Sequence, residues 1–207
     1  MKTLVKFCGM MRTEDILAAG EAGVDYLGFV LVPGSRRFLQ RNALSKLLAA
    51  VPCNVKKVFV VADMELAEIA QLIAEFHPDA IQLHGNETAD FARAIHAAEV
   101  WKAVHLKDER ELENFAAFPA EYLVADAAQG GSGCCCDWEL AAQLSARRGI
   151  FLAGGLEPGN VSEALRRCPA AGVDVCSGIE QSPGRKDLPK MRLFMGAVRR
   201  CGEQDGK

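Results

Sequence analysis

Cys8-Gly9, Asp126, Gly154-Gly155 and Ser177-Gly178 each close a short apolar run, at 4–7, 122–125, 150–153 and 173–176. Strands ending in reactive or small groups are what a (β/α)8 barrel requires. Its reacting groups sit at the C-terminal ends of strands, and its phosphate site is usually built after the seventh and eighth. Gly154-Gly155 and Ser177-Gly178 can offer backbone N–H groups to phosphate oxygens, assisted by the N-termini of the helices that follow. Cys8 taken alone reads as a small buried hydrophobe. Gly9 after it lets a loop bend close to a ligand, and an inward Lys6 can stabilise a thiolate. Asp126 reads either as a turn cap or as a site carboxyl. It opens a loop through Gly130-Gly131-Ser132-Gly133 that is able to fold over a ligand.

Period-two alternation puts Lys6 with Cys8, Gln82 with His84, and Asp174 with Cys176 on the barrel-facing side of their strands. A barrel interior made only for stability favours branched apolar residues at such positions. These polar positions therefore point to a site, although an ordinary hydrogen-bonded histidine accounts for His84 equally well. Lys6 and Asp174 become neighbours once the barrel closes and are expected to form an interior ion pair. After the second strand, Arg36-Arg37 places two guanidinium groups in a loop on the same rim. Either can grip a carboxylate or phosphate bidentately, with plain surface solvation as the alternative. Cys134-Cys135-Cys136 lacks the C-x2-4-C spacing of zinc sites and has no nearby His, so no metal is expected.

The elements that must position these groups are legible as apolar runs alternating with amphipathic stretches, the signature of parallel strands covered by helices. The expected strands are 3–8, 26–30, 57–61, 80–84, 100–104, 122–125, 150–153 and 173–176. Thr13 before Glu14-Asp15, Pro158 before Asn160, and Gly20 or Gly23 mark helix boundaries. Eight similar units and no Gly-x-Gly-x-x-Gly after the first strand favour one (β/α)8 barrel domain over 1–207 rather than a doubly wound open sheet.

The chain has 207 residues, half of them hydrophobic, and a formal net charge of −3. That composition supports a sizeable core and, without a basic stripe, argues against nucleic-acid binding. No signal-peptide core and no transmembrane stretch is apparent, so a cytoplasmic protein with eight reduced cysteines and no membrane partner is expected.

Taken together, Lys6-Phe7-Cys8-Gly9-Met10, Asp25-Tyr26-Leu27-Gly28-Phe29, Ser35-Arg36-Arg37, Gln82-Leu83-His84-Gly85, Gly130-Gly131-Ser132-Gly133, Asp137-Trp138, Gly154-Gly155-Leu156, Ser177-Gly178-Ile179-Glu180 and Pro183-Gly184-Arg185-Lys186-Asp187 resemble the phosphoribosylanthranilate isomerase family over almost the whole chain. The resemblance implies a cofactor-free, metal-free Amadori rearrangement of N-(5'-phosphoribosyl)anthranilate, a step of tryptophan biosynthesis. It implies Cys8 as general base and Asp126 as general acid. Arg37 would hold the anthranilate carboxylate, with Arg36 the weaker candidate, and Gly154, Gly155, Ser177 and Gly178 would hold the phosphate. The family commonly has hydroxyl residues or Phe where this chain has Ala127, Cys136, Ala153 and Cys176. The alternatives are another sugar-phosphate isomerase or epimerase barrel and a silent phosphosugar-binding module. The retained Cys8 and Asp126 speak against the module. Monomer and homodimer both stay open.

Overall fold

The computed structural model describes residues 2–126 and 137–204. Eight parallel strands, β1 (Leu4–Phe7), β2 (Tyr26–Val30), β3 (Lys56–Val61), β4 (Ala80–Leu83), β5 (Glu99–Val104), β6 (Tyr122–Ala125), β7 (Ile150–Leu152) and β8 (Gly172–Val175), pair in chain order and close when β8 meets β1. Helices α1 (Thr13–Ala22), α2 (Arg41–Leu48), α3 (Leu66–Phe76), α4 (Ala89–Arg93), α5 (Arg110–Ala116), α6 (Trp138–Ser145), α7 (Val161–Arg167) and α8 (Leu188–Gln204) alternate with them. This is the (β/α)8 barrel that the alternation of patterns predicts. Among the described residues no helix is long and apolar enough to cross a membrane.

Side-chain alternation decides the layers. Val5, Phe7, Leu27, Phe29, Phe59, Val61, Ile81 and Leu83 face outward into one continuous core against the helices. Their neighbours in sequence face inward. Tyr26, Val58, Ala80, Trp101, Val124 and Phe151 form a separate cluster inside the barrel. Its aromatic rings touch closely, Trp101 lying 4.5 Å from Phe151 and 4.9 Å from Tyr26 between centroids. This packing plugs the N-terminal half of the barrel and leaves the C-terminal half for polar groups.

Several expected strands run one residue too far, for a reason that bears on function. Cys8, His84 and Ala153, expected within strands, and Asp126, expected after one, each lie just past a strand end, yet each donates a last ladder hydrogen bond, to Val175, Val61, Ala125 and Val104 at 2.9, 2.8, 2.8 and 3.0 Å. The rim residues thus keep the rigid anchoring of the sheet while their side chains are released from its pleat. Thr13 is the first residue of α1 rather than its cap, which is Arg12. Gly23 ends that helix in the left-handed conformation, with φ 81°, and Gly20 lies within it. A short hairpin, β9 (Glu180–Ser182) with β10 (Arg185–Lys186), follows a 3-10 turn at Ser177–Ile179 and has no counterpart in the expected eight units.

Candidate active site

The C-terminal end of the barrel encloses a cavity of about 520 Å³, within the range of small-molecule sites. Cys8, Arg36, Arg37, His84, Asp126, Gly154, Gly155 and Ser177 line it. Gln82, Asp174 and Cys176 do so as well, as their inward alternation predicts. Beside Ser177, the missing side chain of Gly178 makes room for the preceding loop: a Cβ there would sit 1.9 Å from the Leu156 carbonyl oxygen. The loop through Gly130-Gly131-Ser132-Gly133 and the triplet Cys134-Cys135-Cys136 lie outside the described residues.

Beneath Cys8 is the expected interior ion pair. Register places Lys6 opposite Asp174 across the β1–β8 seam, and Lys6 Nζ lies 2.8 Å from Asp174 Oδ2. The lysine side chain is 0% exposed and that of Asp174 9%. Burial works against the Lys6 charge, but Asp174 and Cys8 together raise its pKa above the ordinary value. The Cys8 thiol is brought down to about 7, first by a hydrogen bond with Cys176, against the cost of burial, and then by the Lys6 charge. The Cys176 thiol moves the opposite way, well above its ordinary range, because it keeps the shared proton and is buried. Cys176 therefore supplies the proton that the Cys8 sulfur accepts.

Alkylation of Cys8 by iodoacetamide is accordingly expected to rise with pH through a midpoint near 7, since only the thiolate reacts. Cys176→Ala moves that midpoint upward, whereas Cys176→Ser, which retains an O–H donor, keeps it low. Mass spectrometry of the Cys8 peptide over a pH series reads both. An unchanged midpoint in Cys176→Ala would remove the proposed donor role.

Across the cavity, Asp126 Oδ2 lies 3.9 Å from His84 Nε2, and the Asp126 carbonyl lies 3.5 Å from His105 Nδ1. The two rings meet edge-on at 6.1 Å. Burial lowers the His84 pKa, so the imidazole beside Asp126 is neutral at pH 7. His105 carries no periodicity or motif signal in the sequence; only the β5–β6 pairing brings it to Asp126.

Arg37 reaches the cavity in a more constrained state than a loop arginine suggests. Its Nε and Nη2 donate to Glu180 Oε1 and Oε2 at 2.8 and 2.6 Å. One edge of the guanidinium is thus taken by a buried carboxylate, a partner that the sequence does not show. Arg36 is exposed. Glu180 also accepts from Lys186 Nζ at 3.0 Å, and that ammonium reaches the backbone oxygens of Cys8 and Cys176 at 2.6 and 3.1 Å. Sequence reasoning gave Glu180 and Lys186 no role, because polar residues in a Pro-Gly turn read as solvated until the hairpin folds back over the barrel mouth.

The opposite wall is built from backbone. Gly154 and Gly155 adopt φ of 76° and 64°, a left-handed pair that side-chain-bearing residues rarely enter. Asn160, next to the start of α7, holds the turn from behind. Its Nδ2 donates to the Gly155 carbonyl at 2.9 Å and its Oδ1 accepts from Glu157 N at 2.8 Å. Ser177, at the head of the 3-10 segment, lines the same cavity. Two small-residue turns meeting after β7 and β8 suit a compact oxyanion.

Comparison with known proteins agrees with this geometry. Residues 5–197 match the family model of N-(5'-phosphoribosyl)anthranilate (PRA) isomerase. An N-(5'-phosphoribosyl)anthranilate isomerase from Magnetococcus marinus is 37% identical over 210 residues, covering 100% of this chain and 99% of the relative. The crystal structure of phosphoribosyl anthranilate isomerase from Thermus thermophilus superposes with a TM-score of 0.89 at 35% identity, covering 96% and 99% of the two chains. A phosphoribosyl anthranilate isomerase in complex with reduced 1-(o-carboxyphenylamino)-1-deoxyribulose 5-phosphate superposes with a TM-score of 0.87 at 31% identity, over 95% and 98%. With the family model spanning nearly the whole barrel and relatives of this identity along its length, the chain belongs to the N-(5'-phosphoribosyl)anthranilate isomerase family.

Proposed function

We propose that Cys8 and Asp126 carry out the proton transfers of this reaction from opposite sides of one cavity. As a family member the protein isomerises N-(5'-phosphoribosyl)anthranilate in tryptophan biosynthesis; an epimerase barrel and a silent binding module fall away. Asp126 protonates the ribose ring oxygen, which opens the furanose to a Schiff base. The positive nitrogen acidifies the neighbouring C2' proton. Cys8, as thiolate, removes it, and the resulting enolamine tautomerises to the ketone. One carbon is oxidised and its neighbour reduced within the same molecule, so no external electron carrier enters the balance.

The observation that carries this reading is the placement of the two groups. The Cys8 thiol, near 7, is ionised to a useful degree at neutral pH and lies over a buried ammonium. Asp126 directly follows β6, adjacent to neutral His84, on the same cavity. The substrate phosphate rests against the backbone of Gly154-Gly155 and Ser177-Gly178, and its aryl carboxylate meets the outer edge of Arg37. Free thiols at Cys8, Cys53, Cys168, Cys176 and Cys201 suit a reducing cytoplasm. Loss of the anthranilate-type fluorescence of the substrate on adding purified protein is the direct test.

The same assay separates the two arginines. Arg37→Ala is expected to raise KM by roughly 10- to 100-fold with a smaller change in kcat, because a charge-assisted contact present throughout the reaction is lost. Arg36→Ala, on an exposed side chain, changes KM less. A larger effect at Arg36 would reverse the assignment.

A further inference from the structure

Arg37 does not stand alone at the cavity mouth. The Glu180 side chain is 4% exposed and grips the guanidinium by its Nε and Nη2 edge, so that the fork geometry fixes the plane of the group. Glu180 is held in turn by Lys186, whose side chain is 0% exposed, and by the Gly184 N–H at 3.3 Å. Lys186 then anchors to the carbonyl of Cys8. The arm of Arg37 crosses directly over Gly9, where a Cβ would lie 2.5 Å from Arg37 Cδ. Three rim segments, after β1, β2 and β8, therefore converge on one buried carboxylate. The hydrogen bond from Arg37 holds the arginine charged, and the two cations keep Glu180 ionised below its ordinary range against the pull of burial. The cluster carries a net single positive charge, a fit for one anionic group of the ligand.

Resting on the reading of Arg37 as the carboxylate contact, we propose that Glu180 is a positioning residue that sets selectivity for an arylamine bearing a carboxylate beside the nitrogen. A free arginine side chain samples many rotamers and follows a carboxylate wherever it lies. Clamped by Glu180, Arg37 presents its remaining N–H groups along one direction, at a fixed offset from the Cys8 backbone to which Lys186 ties the clamp. A ligand carboxylate then meets a preorganised partner, and the carbon to be deprotonated is brought to Cys8 in register.

The test compares two ligands across the unmodified enzyme and four variants. The ligands are reduced 1-(o-carboxyphenylamino)-1-deoxyribulose 5-phosphate and the same compound without the carboxylate, with binding measured at equilibrium below the melting range of every variant. In Glu180→Gln, which keeps the size but not the charge, affinity for the carboxylated ligand is expected to fall about tenfold while the other ligand stays within about twofold. Added to Arg37→Ala, Glu180→Gln causes little further loss, since it acts through the arginine. Glu180→Asp preserves the charge beside Lys186 but shortens the reach to Arg37. It gives the same ligand preference with a smaller fall in melting temperature, and serves if the glutamine variant does not fold. Equal weakening of both ligands, or of neither, overturns the proposal and leaves Glu180 a structural residue. Should Arg37→Ala itself leave the carboxylated ligand unaffected, the reading of Arg37 is what fails, and the clamp loses its purpose with it.

Discussion

Alanine at Cys8 is expected to lower kcat by roughly 10²- to 10⁴-fold, the usual worth of a positioned general base. Affinity for the reduced product analogue should stay close to that of the unmodified enzyme, because proton abstraction is felt in the transition state rather than in ground-state binding. Asp126→Asn is expected to act alike, since an amide fills the same space without an acidic proton to deliver. Cys8→Ser is the informative control. It leaves no cavity at the end of β1, yet a serine hydroxyl is scarcely ionised at neutral pH, so turnover remains lost. The wild-type kcat/KM should rise as pH increases through about 7, as Cys8 loses its proton. Turnover near the wild-type level in Cys8→Ala or Asp126→Asn, followed by substrate fluorescence, would end that residue's assignment.

Lys6→Met has the largest expected effect on stability. It removes a fully buried ammonium and strands Asp174, whose Oδ1 already has no partner among the described residues. Breaking one side of such a pair costs about 3–5 kcal/mol, or a melting temperature lower by roughly 6–20 °C in a chain of this size. Cys8 also loses a positive neighbour, so its alkylation midpoint moves above 7. The sign of the pH dependence follows from the raised Lys6 pKa. The stabilisation is fully present below the ordinary lysine value of about 10.5 and is lost as pH climbs through the folded value. Lys6→Met with Asp174→Leu recovers much of the stability, because two apolar residues replace the pair, but not the low thiol pKa. A single variant with unchanged melting and unchanged alkylation would refute the role of the pair.

Much of this protein is determined by its sequence alone. The eight alternating units specify a barrel because a strand buried on one side by helices must alternate its side chains, and only closure removes its edges. The same period-two rule puts Lys6, Cys8, Gln82, His84, Asp174 and Cys176 inside, and adjacency of β1 and β8 joins Lys6 to Asp174. Resemblance pointed to Cys8, Asp126 and Arg37 in one site. What only the tertiary structure decided is how these groups are held. Gly178 makes room for the Leu156 carbonyl of the preceding loop, and Arg37 is shared with Glu180 and, through it, Lys186. Cys176 became the partner that lowers the Cys8 thiol, and His105 the neighbour of Asp126. Those relations lie between residues such as Arg37 and Glu180, 143 positions apart in the chain. Local periodicity reports which way a side chain points, but which charge it meets there depends on how distant loops fold over the barrel mouth.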